Sequence, residues 1–515
     1  MSKFRGVNRH QLFLLPPSIE DFVPEGHMAR LVDEVVEGLC THEIEEKYSH
    51  LGRKAYEPKM LIKILFYGYS TGDRSSRKLA RKCEMDLAYL YLSGMERPDF
   101  RTISDFRKNN LEKLKGYFRD IVLFCREAGL GRGRAIFIDG TKIRANAAAK
   151  RTKKKEKLDE LIRETDTEIE RIFREAENLD EAEDREYGER RGDELPPELQ
   201  KASDRRRRLA EAKKRLEAEG LKKVNVTDPD AQMMQERRGV IRPGYNGQCA
   251  VTGDGLIVAQ DLVCEANDKN QLKPMVEQSQ EVLQGAVEQV IADGGYGTYE
   301  NLEYLKRTGL DGYVHDFAGE IRNILRGKEG ENRYHRFNFT YDKKKDRFLC
   351  PEGKKLLFYK ERDFRKQHIL VYKGYDCGAC SVREQCTKGK YRTISQDERT
   401  ELILEMLEKL RSEAGKAIYK RRMCTVEPVY GNIKENLGFR RFLLRGHEKA
   451  MGEFALMCIG HNLGKLFKAV KGRVERMGSA FKGVLKEVGG ILNKDLFGLS
   501  DHIGCFLPLL ARAGQ

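Results

Sequence analysis

Two aspartates carry the first chemical signal. Asp139 closes the apolar run Ala135–Ile138 and is followed by Gly140, and Asp293 closes Val290–Ala292 and is followed by Gly294 and Gly295. A carboxylate set directly after a buried strand is costly unless it is paired or binds a cation. Two such acids brought together repel one another, and a divalent cation between them resolves the conflict; oxygen donors select Mg2+ or Mn2+. Cations held this way activate water for phosphodiester hydrolysis. On these acids alone, the competing reading is two unrelated turn aspartates. A second signal is the set Cys350, Cys377, Cys380 and Cys386, in which CGAC supplies a C-x2-C pair. Four thiolates suit a closed, structural Zn2+ site; the plainer reading is unliganded thiols in a small β subdomain. The remaining cysteines are scattered, which argues against a disulfide framework.

The elements that must position these groups form an α/β alternation. The segments 135–143, 247–253, 256–266, 288–293 and 311–317 read as strands. Asp254-Gly255 makes a hairpin turn, and helices fall at about 270–283 and 299–308. Before them, residues 27–127 read as helices. Pro58 suits a first helical turn, Gly72 and Asp73 mark a turn, and Ser75 sits where a cap belongs. The helix after Ser75 carries Arg77, Lys78, Arg81 and Lys82, so the pair resembles a helix-turn-helix; a small bundle with a solvated basic face is the alternative. Residues 150–223 are dominated by charge. Leu158, Ile162, Thr165, Ile169, Ile172, Ala176 and Leu179 follow a heptad seam, Gly188, Gly192, Pro196 and Pro197 interrupt it, and Leu199, Ala202, Leu209, Ala212 and Leu216 resume it. This predicts an inserted antiparallel hairpin with arms of roughly 25–30 residues, about 40 Å long. Its basic runs 153–155 and 205–208 are read as solvated surface in preference to phosphate contacts.

Composition agrees with a polyanionic partner. Lys plus Arg number 96 against 81 Asp plus Glu, a net charge of +15 over 515 residues. No stretch of ~20 uncharged apolar residues predicts a membrane span, and the N-terminal residues lack an apolar signal core.

In order and context, several stretches resemble the DDE transposases of bacterial insertion sequences, in the group with a Tyr-Arg-Glu-Lys signature. They are FIDGTKIRA, GYNGQCAVTGDGLIVAQDLVCEANDKNQLKPMVE, VIADGGYGTYENL and YKRRMCTVEPVYGNIKENLGFRRFLLRG, with EPKMLIKILFYGYSTGDRSSRKLARKC and PDFRTISDFRK matching the family's N-terminal domain. The resemblance implies a ribonuclease-H-like core, with Asp139, Asp293 and Glu427 as catalytic acids holding Mg2+ or Mn2+. Tyr419, Arg422 and Lys434 would contact DNA, together with the basic Arg77, Lys78, Arg81, Arg440 and Arg441. Lys434 follows Glu427 at the family's spacing, but Tyr419 and Arg422 each lie one residue further from Glu427 than the signature has them. Pro428 biases the residue before it away from helix, which predicts Glu427 at a kink or helix start.

The implied layout is a helical DNA-binding domain over 1–130, a catalytic core over 131–149 and 224–330, and the hairpin over 150–223. A Cys-rich β insertion over 331–395 is a possible zinc knuckle; closing core helices over 396–470 and a tail over 471–515 complete the chain. Phe506, Leu507, Leu509 and Leu510 would dock that tail. His461 reads as a core histidine. The implied activity is cleavage at terminal inverted repeats followed by attack of the freed 3′-hydroxyl on target DNA. The enzyme would act as a homodimer in the synaptic complex, in the cytoplasm and on the nucleoid. The rivals are a non-catalytic DNA-binding derivative and a metal-dependent nuclease without strand transfer.

Overall fold

A computed structural model describes residues 18–49, 54–187, 197–235, 239–314, 333–334, 338–364, 367–396 and 400–477. The expected breakers Gly188, Gly192 and Pro196, and the apolar tail from Phe506 to Leu510, lie outside these.

The fold is mixed α/β. Its main sheet comprises β1 (Ala135–Arg144), then, beyond the two-residue pair β2 (Thr152–Lys153) and β3 (Val224–Asn225), β4 (Gln232–Gln235), β5 (Ile241–Thr252), β6 (Ile257–Val263), β7 (Gln289–Ala292) and β8 (Asp311–Val314). The order is β4-β5-β1-β7-β8, with β6 also pairing β5. The neighbours β6, β5 and β1 are antiparallel, whereas β1, β7 and β8 run parallel. β1 was expected over residues 135–143, with its apolar run closed by Asp139. It runs on to Arg144 because β5 pairs it from Ile136 to Arg144, well past the last β7 partner at Ile138. Helices cover the sheet. Glu413–Gly431 lies over β1, β7 and β5, and His447–Met477 packs on β6 and on the N-terminal helices Pro58–Thr71 and Leu111–Glu127.

One apolar core runs from Val23 through the strands to Val470, so the N-terminal helices share an interior with the sheet. A buried polar knot crosses it. Glu453, fully buried, accepts from Arg74 Nη1 at 3.0 Å and from the backbone N–H groups of Leu443 and Leu444 at 2.9 Å. His461 accordingly is a core residue, its Nε2 3.0 Å from Gly255 O, and burial depresses its pKa to about 4. Beside it, Asn462 clips onto Ile257, accepting from its N–H at 3.0 Å and donating to its C=O at 2.8 Å. The clip fixes the β5–β6 turn, where Gly255 adopts φ +83°.

The charged segment forms helices Lys155–Tyr187 and Pro197–Ala218, of 33 and 22 residues. Their apolar residues pack on one another in two small clusters separate from the main core, around Leu158, Leu209, Ala212 and Leu216, and around Ile172, Leu199 and Ala202. The basic run pairs with nearby acids: Arg205 with Glu168, Arg206 with Asp166, and Arg207 with Asp204. Such exposed pairs contribute about 0–1 kcal/mol each. β2 and β3 pin the base. Deleting residues 155–218 and joining the ends with a short Gly-Ser linker should therefore leave a cooperative thermal transition, monitored by circular dichroism. Loss of cooperativity would mean that the hairpin completes the core.

A second sheet orders β13 (Thr393–Gln396), β12 (Gln367–Lys373), β11 (Lys355–Phe364), β10 (Arg347–Leu349) and β9 (Thr340–Asp342). It has its own core of Phe339, Phe348, Leu356, Tyr372 and Ile394.

Candidate active site

The parallel register determines where the acids meet. Ile138 pairs with Ala292, so the next residues on each strand, Asp139 and Asp293, leave the ladder side by side. β7 stops there. Asp139 shares a face with its partner Cys249, because paired residues project to the same side. Over that face lies helix Glu413–Gly431. From it Arg422 Nη1 donates to Asp139 Oδ2 at 3.0 Å, and the Tyr430 hydroxyl donates to the Asp139 carbonyl. Backbone N–H groups hold the other oxygens: Gly140 N to Asp139 Oδ1 and Gly295 N to Asp293 Oδ1, each 2.8 Å.

Charge is crowded here. Burial pushes the Asp139 carboxyl up to about 7, with Arg422 and the Gly140 N–H opposing and Asp293 and Asp268 reinforcing. Asp293 is also raised by burial, against Arg422. Burial works against the Arg422 guanidinium too, but Asp139, Tyr419, Asp293 and Glu427 outweigh it and hold its pKa above the ordinary value. In donor chemistry the hard oxygens of Asp139 and Asp293 fit a divalent cation. Among the described residues, however, no three His, Cys, Asp or Glu side chains lie close enough to hold an ion together.

The other anticipated residues are distributed around this centre. Glu427 is exposed, on the same helix as Arg422. Pro428 does not start that helix but lies inside it. Only one backbone hydrogen bond is forfeited by its missing N–H, near the helix end, and the π-helical turn Asn432–Asn436 follows. Lys434, in that turn, donates to Lys142 O at 2.7 Å. Tyr419 is buried, its ring 5.9 Å from the Arg422 guanidinium. Arg77, Lys78 and Arg81 are exposed on helix Ser76–Met85, whose Ser76, Leu79 and Cys83 face inward. Ser75 holds the cap position without a side-chain hydrogen bond. Arg440 and Arg441 are exposed, and Arg440 pairs with Glu435.

Sequence reasoning missed the residues below the acids. Asp268 Oδ1 accepts from Asn246 Nδ2 and Gln248 Nε2, both at 2.6 Å, and Lys142 Nζ lies 3.7 Å away. Gln248 in turn accepts from Tyr296. Two carboxamides at alternate positions of an otherwise apolar strand were the available signal.

The four cysteines of the second sheet line one cavity with Tyr334, Phe339 and Arg392. Burial raises the Cys386 pKa, Arg392 opposes this, and Cys377, Cys350 and Cys380 reinforce it, so all four thiols are near neighbours. Their chemistry fits zinc, although no three of them stand at ligand distance.

Two family models match the sequence: a transposase DDE domain over residues 349–467 and a transposase domain, DUF772, over residues 17–109. The two matches indicate a transposase, consistent with the DDE type. The first match spans the cysteines, Arg422, Glu427 and Lys434; the second spans the basic helix Ser76–Met85. No curated protein and no solved structure matches the chain. Transposase families act on DNA. No helix among the described residues is long and apolar enough to cross a membrane.

Proposed function

We propose that this transposase binds the terminal inverted repeats of its own element, cuts there, and joins the freed 3′-hydroxyl to target DNA. The observation that carries the reading is the register Ile138 to Ala292. It sets Asp139 and Asp293 side by side under a helix bearing Arg422 and Glu427. The strand order β6-β5-β1-β7-β8, antiparallel then parallel, supports a ribonuclease-H-like core.

Asp139, Asp293 and Glu427 would hold Mg2+ or Mn2+, which when bound supplies water activation and stabilisation of the leaving oxygen. The chain's own groups do the positioning. Arg422 neutralises Asp139 in the free protein, and its buried Nε has no hydrogen-bond partner. Lys434 steadies the β1 backbone at Lys142. Exposed Arg77, Lys78, Arg81, Arg440 and Arg441 supply phosphate contacts, so affinity falls steeply with salt. Cys350, Cys377, Cys380 and Cys386 would hold a structural Zn2+ that braces the second sheet. A homodimer pairs the two ends, and the protein works in the cytoplasm on the nucleoid.

The test is a labelled duplex carrying one inverted repeat and its flank, incubated with protein and Mg2+. Cleavage at the repeat end and joined products are expected from the native chain, and neither from Glu427→Gln. Cleavage without joining would favour a nuclease; binding without cleavage, a non-catalytic derivative.

A further inference from the structure

The parallel register accounts for Asp139 and Asp293 but not for the third aspartate beside them. Asp268 comes from the loop between β6 and helix Leu272–Val282, and it reaches the site from the opposite face of the sheet to Asp139. Gly140, Lys142, Asn246 and Gln248 all project to that face, by alternation from Asp139 and Cys249. Three features show that the fold makes room for this carboxylate. A side chain at Gly140 would put its first carbon 2.5 Å from Asp268 Oδ1, so the strand must be bare there. Asn246 and Gln248, both fully buried, each direct an N–H at that same oxygen. Asn301 Nδ2 holds the loop from behind through Lys269 O at 2.7 Å.

The second oxygen has a different outlook. A methyl group placed on Gly295 would lie 2.9 Å from Asp293 Oδ1 and 3.1 Å from Asp268 Oδ2. Both oxygens therefore border the same small space beside Gly295, at the end of β7. Asn246 Oδ1, buried without a hydrogen-bond partner, lies instead near the inner oxygen of Asp268, 3.0 Å from the carbon that a side chain at Gly140 would add. An orphaned carbonyl-type oxygen next to Asp268, with a second carboxylate bordering the space at its outer oxygen, supplies donors of the kind a hard cation takes.

We propose that Asp268 is a fourth carboxylate of the active site and binds a divalent cation together with Asp293. This rests on the function proposed above, with Asp293 shared between this cation and the one held with Asp139. Asn246 and Gln248 fix the inner oxygen of Asp268 so that the outer one is presented.

Mn2+ titrated into the full chain by calorimetry, with thermal melting in its absence, tests the assignment. Asp268→Asn keeps the inner oxygen and its two donors but replaces the outer one with an amide. Its metal-free melting point should match or exceed that of the native chain, because a like-charge contact is gone. Its Mn2+ affinity should fall at least ~10-fold. Gly295→Ala, which puts a methyl group against both carboxylates, should show the same loss without removing either charge. Native Mn2+ binding by Asp268→Asn, or a marked drop in its metal-free melting point, would overturn the proposal in favour of a purely structural aspartate. The underlying reading fails separately: then the native chain binds no Mn2+, or Asp139→Asn binds it as well as the native chain does.

Discussion

Asp139→Asn should bind end DNA as tightly as the native transposase and fail to cut it. The substitution keeps the shape of the side chain and the oxygen that accepts from Gly140 N. It removes the charge that Arg422 meets at 3.0 Å and that a cation would need. Arg422 loses an ionic partner, but the burial that pushes the Asp139 carboxyl up to about 7 is relieved at the same time, so the fold changes little. Under the proposed function, phosphate contacts come from basic groups elsewhere and supply most of the affinity. Cleavage should drop by at least ~10²-fold, the size expected when one preorganised electrostatic contact to the reacting centre is lost. Gel shift and cleavage on one labelled duplex separate the two effects. A variant that cuts near the native rate would make Asp139 a structural acid at the edge of the sheet.

The largest stability effect is expected at Glu453→Ala. The carboxylate is fully buried and joins Arg74, on the N-terminal side of the molecule, to the backbone of Leu443 and Leu444. Truncation strands a half-buried guanidinium and two N–H groups together. Breaking a buried pair from one side costs about 3–5 kcal/mol. Glu453→Gln retains one oxygen for the backbone donors and should lose clearly less. Urea unfolding of the two variants against the native chain measures the difference. Equal midpoints for all three would show that the knot contributes nothing to stability.

How far the sequence could be read depended on what kind of signal each residue left. Asp139 and Asp293 stood out because each is the single charge at the end of an apolar run followed by glycine. Their meeting needed the register, which no run of residues states. The heptad spacing from Leu158 to Ile172 was visible because a seam that packs only on its own partner must repeat regularly. Asp268 was invisible because it lies in CEANDKNQ, a loop where polar residues are ordinary, and its role arises only from Asn246, Gln248 and Gly295 around it. Pro428 misled: local preference argued for a helix boundary, yet packing on the sheet carried the helix through it. Glu453 could have been noticed as a lone acid beside Phe454, Ala455 and Leu456, but its partner Arg74 is hundreds of residues away in sequence.

The shared interior has a mechanical consequence. Tyr69 stacks 5.6 Å from Phe439, and Arg74 lies over the same ring at 5.2 Å, so the layer bearing the basic helix Ser76–Met85 is keyed into the element that leads out of the acid-bearing helix. Among the described residues, turning one against the other would open the core that runs from Val23 to Val470. A molecule built this way is a caliper with its jaws welded. Under the proposed function, the distance along the DNA from the basic helix to the acids is set when the chain folds, and a different spacing would have to be met by bending the DNA.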